Sequence, residues 1–279
     1  MITLIDAIQK TTVFFSAKRI ENARLNAEII IAKALNLNRL DLYLQFDRPL
    51  DTENLDQIRD LVRRRGKHEP WQYIFGEVDF FNLNLKVDHR ALIPRPETEE
   101  LIDLIIKIKN CAPDKIVDLG TGSGAIALAL AMHYPESRVL AVDTSDEALS
   151  LARDNIKRSE LNSRVEIQKS DWFNEIEGKF DLIVANPPYL SELEWDESQP
   201  EIIKFEPREA LVAEENGLNA LKHILSRSLT YLNEGGLVAM ETGIDHHPAL
   251  KEIAVKTGFG RWDSQVDFNL RNRYFFAWK

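Results

Sequence analysis

An asparagine on a stiff mount is the first residue that could do chemistry. Asn186-Pro187-Pro188-Tyr189 follows Phe180 to Ala185, a run that reads as a buried strand. The two prolines remove two backbone donors and hold the chain extended, so Asn186 is presented rigidly where the strand ends. A second candidate is "DLGTGSGA". Its Gly120-Thr121-Gly122-Ser123-Gly124 allows a tight turn and close approach of a ligand to backbone. Asp143, at the end of the next strand, lies 19 residues beyond Gly124, a spacing that suits a carboxylate accepting hydrogen bonds from a ribose. That pattern fits a dinucleotide and S-adenosylmethionine equally. Asp118, just before the glycines, favours the latter: a carboxylate there repels a pyrophosphate but attracts a sulfonium and an ammonium. The loop lacks the Gly-Lys-Ser/Thr of a nucleoside triphosphatase. A third cluster is "SDWF". Trp172 can lie against an adenine, and Asp171 can accept from its amino group; taken alone, Trp172 reads as a rim packing residue.

These residues need a scaffold that brings several strand ends to one edge. From Lys115 the sequence alternates strand and helix: "KIVDL", "GAIALALAMHY", "RVLAVD", "SDEALSLARDNIKRS", "RVEIQKSD", "FDLIVA", a helix around 217–232, "GLVAME", a helix around 248–257, then "GRWDSQVD" and "RYFFAWK". Such alternation implies a parallel sheet with helices on both faces, whose ligands bind at the carboxyl ends of the strands. Ahead of it the chain reads helical. Thr3 can cap the first segment, Leu25, Ile29, Ala32 and Leu35 share a face of the second, and Asp51 caps a third with Leu55, Ile58 and Val62 in one stripe. Arg63-Arg64-Arg65 at its end is expected to be a solvated terminus favoured by the helix dipole. Between Gly76 and Val87 the period falls to two, with Asn82 near a turn, which predicts a hairpin. Thr98 is the expected cap of the helix that follows.

Composition narrows the function classes. The 279 residues carry a net charge of −10, unevenly spread. Residues 1–70 hold 12 Lys+Arg against 10 Asp+Glu, the remainder 23 against 35. The larger part therefore lacks the basic footprint of a nucleic-acid binder. The one cysteine, Cys111, excludes a disulfide framework and a multi-cysteine zinc site. His246-His247 has no supporting carboxylate or cysteine pattern, so no metal is expected. The opening stretch shows no apolar run after a basic leader, and nothing is long enough to span a bilayer, so a cytoplasmic protein is expected.

Asn-Pro-Pro-Tyr after a fourth strand, downstream of "DLGTGSG", resembles the amino-methyltransferases. More of the chain joins the likeness: "ARLNAEIIIAKAL", "EPWQYIFGEVDFF", "LIPRPETEEL", "SDWF", "NPPY" and "FEPREAL" look like the HemK/PrmC family. The resemblance implies a helical substrate-recognition domain at 1–75, a β-hairpin linker at 76–92, and a seven-stranded Rossmann-like class I methyltransferase domain at 93–279. It implies methyl transfer from S-adenosylmethionine, leaving S-adenosylhomocysteine, to the glutamine amide of the Gly-Gly-Gln loop in class I peptide chain release factors. Gly120 to Gly124, Asp143, Trp172 and Asn186 should then contact the cofactor, and Asn186, Pro187, Pro188 and Tyr189 the glutamine. Asn186 Oδ1 and the Pro187 carbonyl are the candidate acceptors for the amide's two N–H groups, with Tyr189 stacked on its plane. Expected partners are release factors, with no nucleic acid and no membrane, and the protein is expected to be a monomer. The alternatives are a glutamine of a ribosomal protein and an adenine of DNA. Segment 191–209 carries seven acidic and two basic residues, expected to form a solvated loop or a lid, and is unfavourable to a phosphate backbone.

Overall fold

A computed structural model describes residues 2–109 and 111–279. Met1 and Asn110, which fall in the expected helical and sheet domains, lie outside the described residues. The chain divides into two compact units, Met1–Gly76 with Gln199–Phe205, and Glu77–Ser198 with Glu206–Lys279. The hairpin thus groups with the sheet, and a short segment from far along the chain groups with the helices.

Local chemistry starts and stops the helices of the first unit. In α1 (Leu4–Ala17), Thr3 accepts from the Asp6 N–H while Asp6 accepts from the Thr3 N–H, a reciprocal cap. There follow α2 (Ala23–Ala34), α3 (Arg39–Leu44), α4 (Thr52–Arg65), capped by Asp51, and α5 (Trp71–Phe75), which ends at Gly76 with φ +74°. The expected face of α2 is corrected. Leu25 is exposed, whereas Ala27, Ile30 and Ile31 are fully buried. The helix is wedged between two apolar clusters: Ala27 and Ile30 meet Phe15, Ile20 and Ile74, and Ile31 and Ala32 meet Leu4, Ile8, Leu42 and Ile58. A helix buried on two sides has no single stripe to read.

The arginine run departs from the expected solvated end at Arg65. Arg63 pairs with Asp60 and Arg64 with Glu69. Arg65 is only 3% exposed; its Nε donates to Asn26 Oδ1 (2.8 Å) and its Nη2 to Glu201 Oε2 (2.8 Å). A buried guanidinium needs such partners, and one of them comes from a segment 136 residues away.

In the second unit β1 (Glu77–Phe80) and β2 (Leu83–Lys86) form the hairpin, turning at Phe81 and Asn82 with φ +46° and +62°. Then come α6 (Pro96–Ile108), β3 (Lys115–Leu119), α7 (Ala125–His133), β4 (Arg138–Asp143), α8 (Asp146–Arg158), β5 (Val165–Lys169), β6 (Phe180–Ala185) and α9 (Glu192–Asp196). After α10 (Pro200–Phe205), which belongs to the helical unit, the chain continues through α11 (Leu218–Tyr231), β7 (Leu232–Glu241), α12 (His247–Thr257), β8 (Arg261–Val266) and β9 (Asn272–Trp278). Thr98 does not cap α6. Arg95 holds that position, Pro96 opens the helix, and Thr98 is buried in its first turn.

The seven strands run in the order β5-β4-β3-β6-β7-β9-β8, parallel except that β9 is antiparallel to both neighbours. Each face carries its own core. Tyr274 and Phe276 of β9 enter one, with α6 and α7; Phe275 and Ala277 enter the other, with α11 and α12. All four are fully buried, which explains so aromatic a last strand. The order reverses between β3 and β6, where a crevice opens in sheets of this kind. Leu119 stands opposite Ala185 there, so the glycine loop and Asn186 leave the sheet side by side.

Candidate active site

One wall of the crevice is made by the turn after β3. Gly120 and Gly122 have φ of +73° and +55°, which side-chain-bearing residues adopt only with strain. The Gly120 and Thr121 N–H groups donate to the Val142 carbonyl (2.9 and 2.8 Å), tying the turn to the end of β4. Asp118 Oδ2 accepts from Thr121 Oγ1 (2.6 Å) and from the Ala127 N–H (3.1 Å), fastening the turn to the start of α7. Asp118 is fully buried and its Oδ1 takes no partner among the described residues. Burial pushes its carboxyl up to about 7, against the two hydrogen bonds. At Gly124 a Cβ would lie 3.4 Å from the Ala152 Cβ, so this third glycine serves the packing of α8.

Asp143 closes the wall. Its Oδ2 accepts from the Gly122 N–H (2.9 Å) and its Oδ1 from the Ser145 N–H (3.0 Å). Burial raises this carboxyl's pKa, and backbone N–H groups of Ser145, Gly122 and Thr144 oppose the shift. Trp172 sits at φ +51°, its carbonyl accepting from Ser170 Oγ (2.7 Å). The strained backbone brings its ring over the turn, where a Cβ on Gly120 would meet it at 3.5 Å. One cavity is lined by Gly120 to Ser123, Asp143, Trp172, Asn186 and Pro188. The carboxylate, the side-chain-free turn and the indole could hold a ribose, a backbone-hugging chain and an adenine respectively.

A smaller cavity adjoins it, lined by Asn186, Pro187, Pro188, Tyr189, Arg95 and Glu241 among others. Asn186 and Pro188 belong to both. The Asn186 amide is oriented from behind: Nδ2 donates to Thr98 Oγ1 (3.1 Å), and Thr98 Oγ1 donates to Glu241 Oε2 (2.7 Å). Glu241 Oε1 accepts from the Tyr189 hydroxyl (2.9 Å). Asn186 Oδ1 takes no partner among the described residues. Burial and the Glu241 charge push the Tyr189 phenol's pKa up, and burial raises that of the Glu241 carboxyl. The Arg273 guanidinium lies 5.7 Å from the Tyr189 ring centre.

The loop behind this frame is held tightly. Leu190 and Leu211 exchange backbone contact through the Leu190 N–H (2.8 Å), and Ala213 returns to Leu190 (3.0 Å). A Cβ on Gly217 would fall 1.9 Å from the Tyr189 carbonyl oxygen. Segment 191–209 is helical in α9 and α10 rather than a loop, and Glu192, Glu194, Asp196, Glu197 and Glu209 are exposed as expected while two side chains are not. Trp195 is buried, and Glu206 is buried with Oε2 accepting from the Ile93 N–H and Oε1 from Arg95. Asp171 is exposed, accepts from Asn174, and does not line the cavity. Thr98 and Glu241 were not singled out as site residues by the sequence; Thr98 stands in an acidic helix turn that gives no signal, and the one hint was a carboxylate ending an apolar strand. Among the described residues no group of three His, Cys, Asp or Glu could hold a metal ion, and no helix is long and apolar enough to cross a membrane.

Residues 6–76 match the PrmC N-terminal domain and residues 101–204 the methyltransferase small domain. The chain is 40% identical to a release factor glutamine methyltransferase of Rhodopirellula baltica, over 86% of this chain and 83% of that one. It is 36% identical to the protein of that name from Chlorobaculum tepidum, over 97% and 95%. The chain belongs to the release factor glutamine methyltransferase family. Its fold is that of class I methyltransferases. A methyltransferase of Pyrococcus furiosus superposes with a TM-score of 0.56 at 20% identity, covering 78% of this chain and 98% of that one. The family's small methyltransferase domain spans β3, β4, β5 and β6, the strands that carry both walls of the crevice.

Proposed function

We propose that the protein transfers a methyl group from S-adenosylmethionine to the side-chain amide nitrogen of the glutamine in the Gly-Gly-Gln loop of class I release factors. Family membership supports the substrate class. The observation that carries the chemistry is Asn186, whose amide is fixed by its nitrogen and offers its oxygen beside the cofactor wall.

The residues present fit the cofactor. Asp143 suits its ribose, Trp172 its adenine, and the turn at Gly120 and Gly122 gives its methionine end room against the backbone. Asp118 does not line the cavity; its part is to fasten the glycine turn from beneath. Gly124 and Asp171 remain candidates from the sequence, the first through packing and the second at the outer rim. Bound S-adenosylmethionine supplies an activated methyl on a sulfonium and leaves as S-adenosylhomocysteine.

A glutamine amide is a poor nucleophile because its nitrogen lone pair is shared with the carbonyl. Asn186 Oδ1 and the Pro187 carbonyl accept its two N–H groups, fix the nitrogen on the line of attack and favour positive charge there. Pro187 and Pro188 hold the second acceptor without competing donors. Tyr189 walls off water against the amide plane. No base is required, since the nitrogen is acidic once methylated and its proton leaves to water. Tyr189 is unsuited to that role with its raised pKa, and both Glu241 oxygens are engaged.

The helical unit binds the body of the release factor, and the protein works as a cytoplasmic monomer without direct contact to nucleic acid. Labelled S-adenosylmethionine offered with a release factor, ribosomal proteins and duplex DNA tests the reading. Label is expected in the release factor and lost when its loop glutamine is replaced; label in DNA or a ribosomal protein alone overturns it. Slowed amide exchange in residues 4–65 on adding the release factor checks the role of the helices.

A further inference from the structure

We propose that Thr98 and Glu241 are positioning residues that set the donor–acceptor polarity of the acceptor frame. The inference rests on the function proposed above and concerns how Asn186 and Tyr189 are aimed. An asparagine side chain presents an acceptor at one end and donors at the other, and the two are nearly equal in shape. Only its surroundings decide which faces a substrate. A substrate amide nitrogen carries donors, so the frame works with Oδ1 outward and fails with Nδ2 outward.

Each link of the chain behind Asn186 has one direction. Glu241 is 1% exposed, and its oxygens accept from Thr98 Oγ1 and the Tyr189 hydroxyl. Burial raises the Glu241 pKa, but the Thr98 and Tyr189 hydrogen bonds and the Arg273 charge oppose it and favour the ionised form, and an ionised carboxylate can only accept. The single Thr98 hydroxyl proton is therefore committed to Glu241, which leaves Oγ1 an acceptor towards Asn186. Asn186 must answer with Nδ2, as it does at 3.1 Å, and Oδ1 is left facing outward. The same carboxylate orients the Tyr189 phenol, so one buried group aims both side chains of the Asn-Pro-Pro-Tyr frame.

The parts are held independently of the loop. Glu241 ends β7 opposite Tyr274 of β9. Tyr274 in turn donates through its hydroxyl to the Glu97 carbonyl (2.8 Å), latching the first turn of α6 that carries Thr98. Thr98 is 4% exposed. A buried hydroxyl and carboxylate with every hydrogen bond matched form a connected network, in which a polarity change at one end is passed to the other.

Glu241→Gln replaces one acceptor oxygen by a donor at nearly constant shape. If that donor faces Thr98, the hydroxyl proton turns to Asn186 and draws Oδ1 inward; if it faces Tyr189, the phenol is turned instead. Thr98→Val keeps the shape and removes the link, and Thr98→Ser restores it. The test uses the full chain, with kcat, both KM values and S-adenosylmethionine affinity measured on a release factor. The Asn186 side-chain NH2 signal is followed by NMR, assigned by its loss in Asn186→Ala. Thr98→Val and Glu241→Gln are expected to lower kcat about tenfold or more, with cofactor affinity within about twofold of the parent. Thr98→Ser is expected to recover most of kcat, and the exchange-protected Asn186 NH2 signal should be present in the parent and Thr98→Ser but lost in Thr98→Val. Parent-like kcat in folded Thr98→Val, a Ser variant no better than Val, or a loss confined to cofactor affinity overturns the proposal. Should Glu241→Gln not fold, the Val–Ser pair decides alone. A parent that methylates no release factor sinks the function rather than the relay, and the NMR signal then decides the relay: an unprotected NH2 in the parent overturns it.

Discussion

The two walls of the crevice are built in opposite ways. The cofactor wall is local. Asp118, Thr121, Gly122, Ala127 and Asp143 are joined by bonds that each span at most 21 residues of chain. The acceptor frame is assembled from afar: Asn186 reaches Thr98 across 88 residues, Thr98 reaches Glu241 across 143, and Tyr189 reaches Glu241 across 52. A local wall can grip a cofactor with the turn and strand end that fold together. A frame whose task is to aim one amide needs fixed points on separate elements, and the sheet supplies them. Damage to the first should therefore appear as weaker cofactor binding, and damage to the second as slower turnover.

Asn186→Ala should give the largest effect, a fall in kcat of about 10³-fold with cofactor affinity nearly intact; steady-state kinetics beside calorimetric titration separate the two. A comparable loss of cofactor affinity would erase the distinction between the walls. Next is Asp118→Asn, read as stability against pH. The folded carboxyl titrates at about 7 instead of 3.8, so the folded state holds its proton longer than the unfolded one. Its favourable contribution is complete below about 4 and is lost as pH rises through about 7. Asparagine keeps an acceptor for Thr121 and Ala127 without the buried charge. The variant should thus gain on the parent between pH 4 and 7, by on the order of 3 kcal/mol, in denaturant titrations at each pH. A constant difference across that range would mean the carboxyl is not desolvated.

Gly217→Ala strikes the frame from behind. Its Cβ would overlap the Tyr189 carbonyl at a φ of +83°, so a stability loss of roughly 2–3 kcal/mol is expected, with kcat falling in the fraction that folds. Asp143→Ala should be milder, weakening S-adenosylmethionine about tenfold while saturating cofactor restores kcat. An unrecovered kcat would show that the local wall also aims the amide.

The same contrast decides what the sequence reveals. Gly120, Gly122 and Asp143 announce themselves through spacing, because a turn and a strand end lie at fixed offsets whatever the rest of the fold does, whereas Trp172 alone reads as rim packing. Asn186 is legible through its prolines. Thr98 reads as a helix cap because threonine ahead of an apolar run usually is one; Arg95 holds the cap instead, and the hydroxyl meets Glu241 only through the arrangement of α6 and β7. Glu206 and Arg65 mislead for a related reason. Charged residues in acidic and basic runs read as solvated, and both are buried against partners far along the chain. The strand order was legible only as alternation, since nothing in β3 or β6 alone says that they are neighbours.

The most direct test of the central account is the site of methylation. A release factor is incubated with the protein and S-adenosylmethionine, then digested and analysed by fragment-ion mass spectrometry. The account predicts one added methyl on the side-chain amide of the Gly-Gly-Gln glutamine, absent with Asn186→Ala. A methyl on another residue, or an unchanged yield with Asn186→Ala, would contradict it.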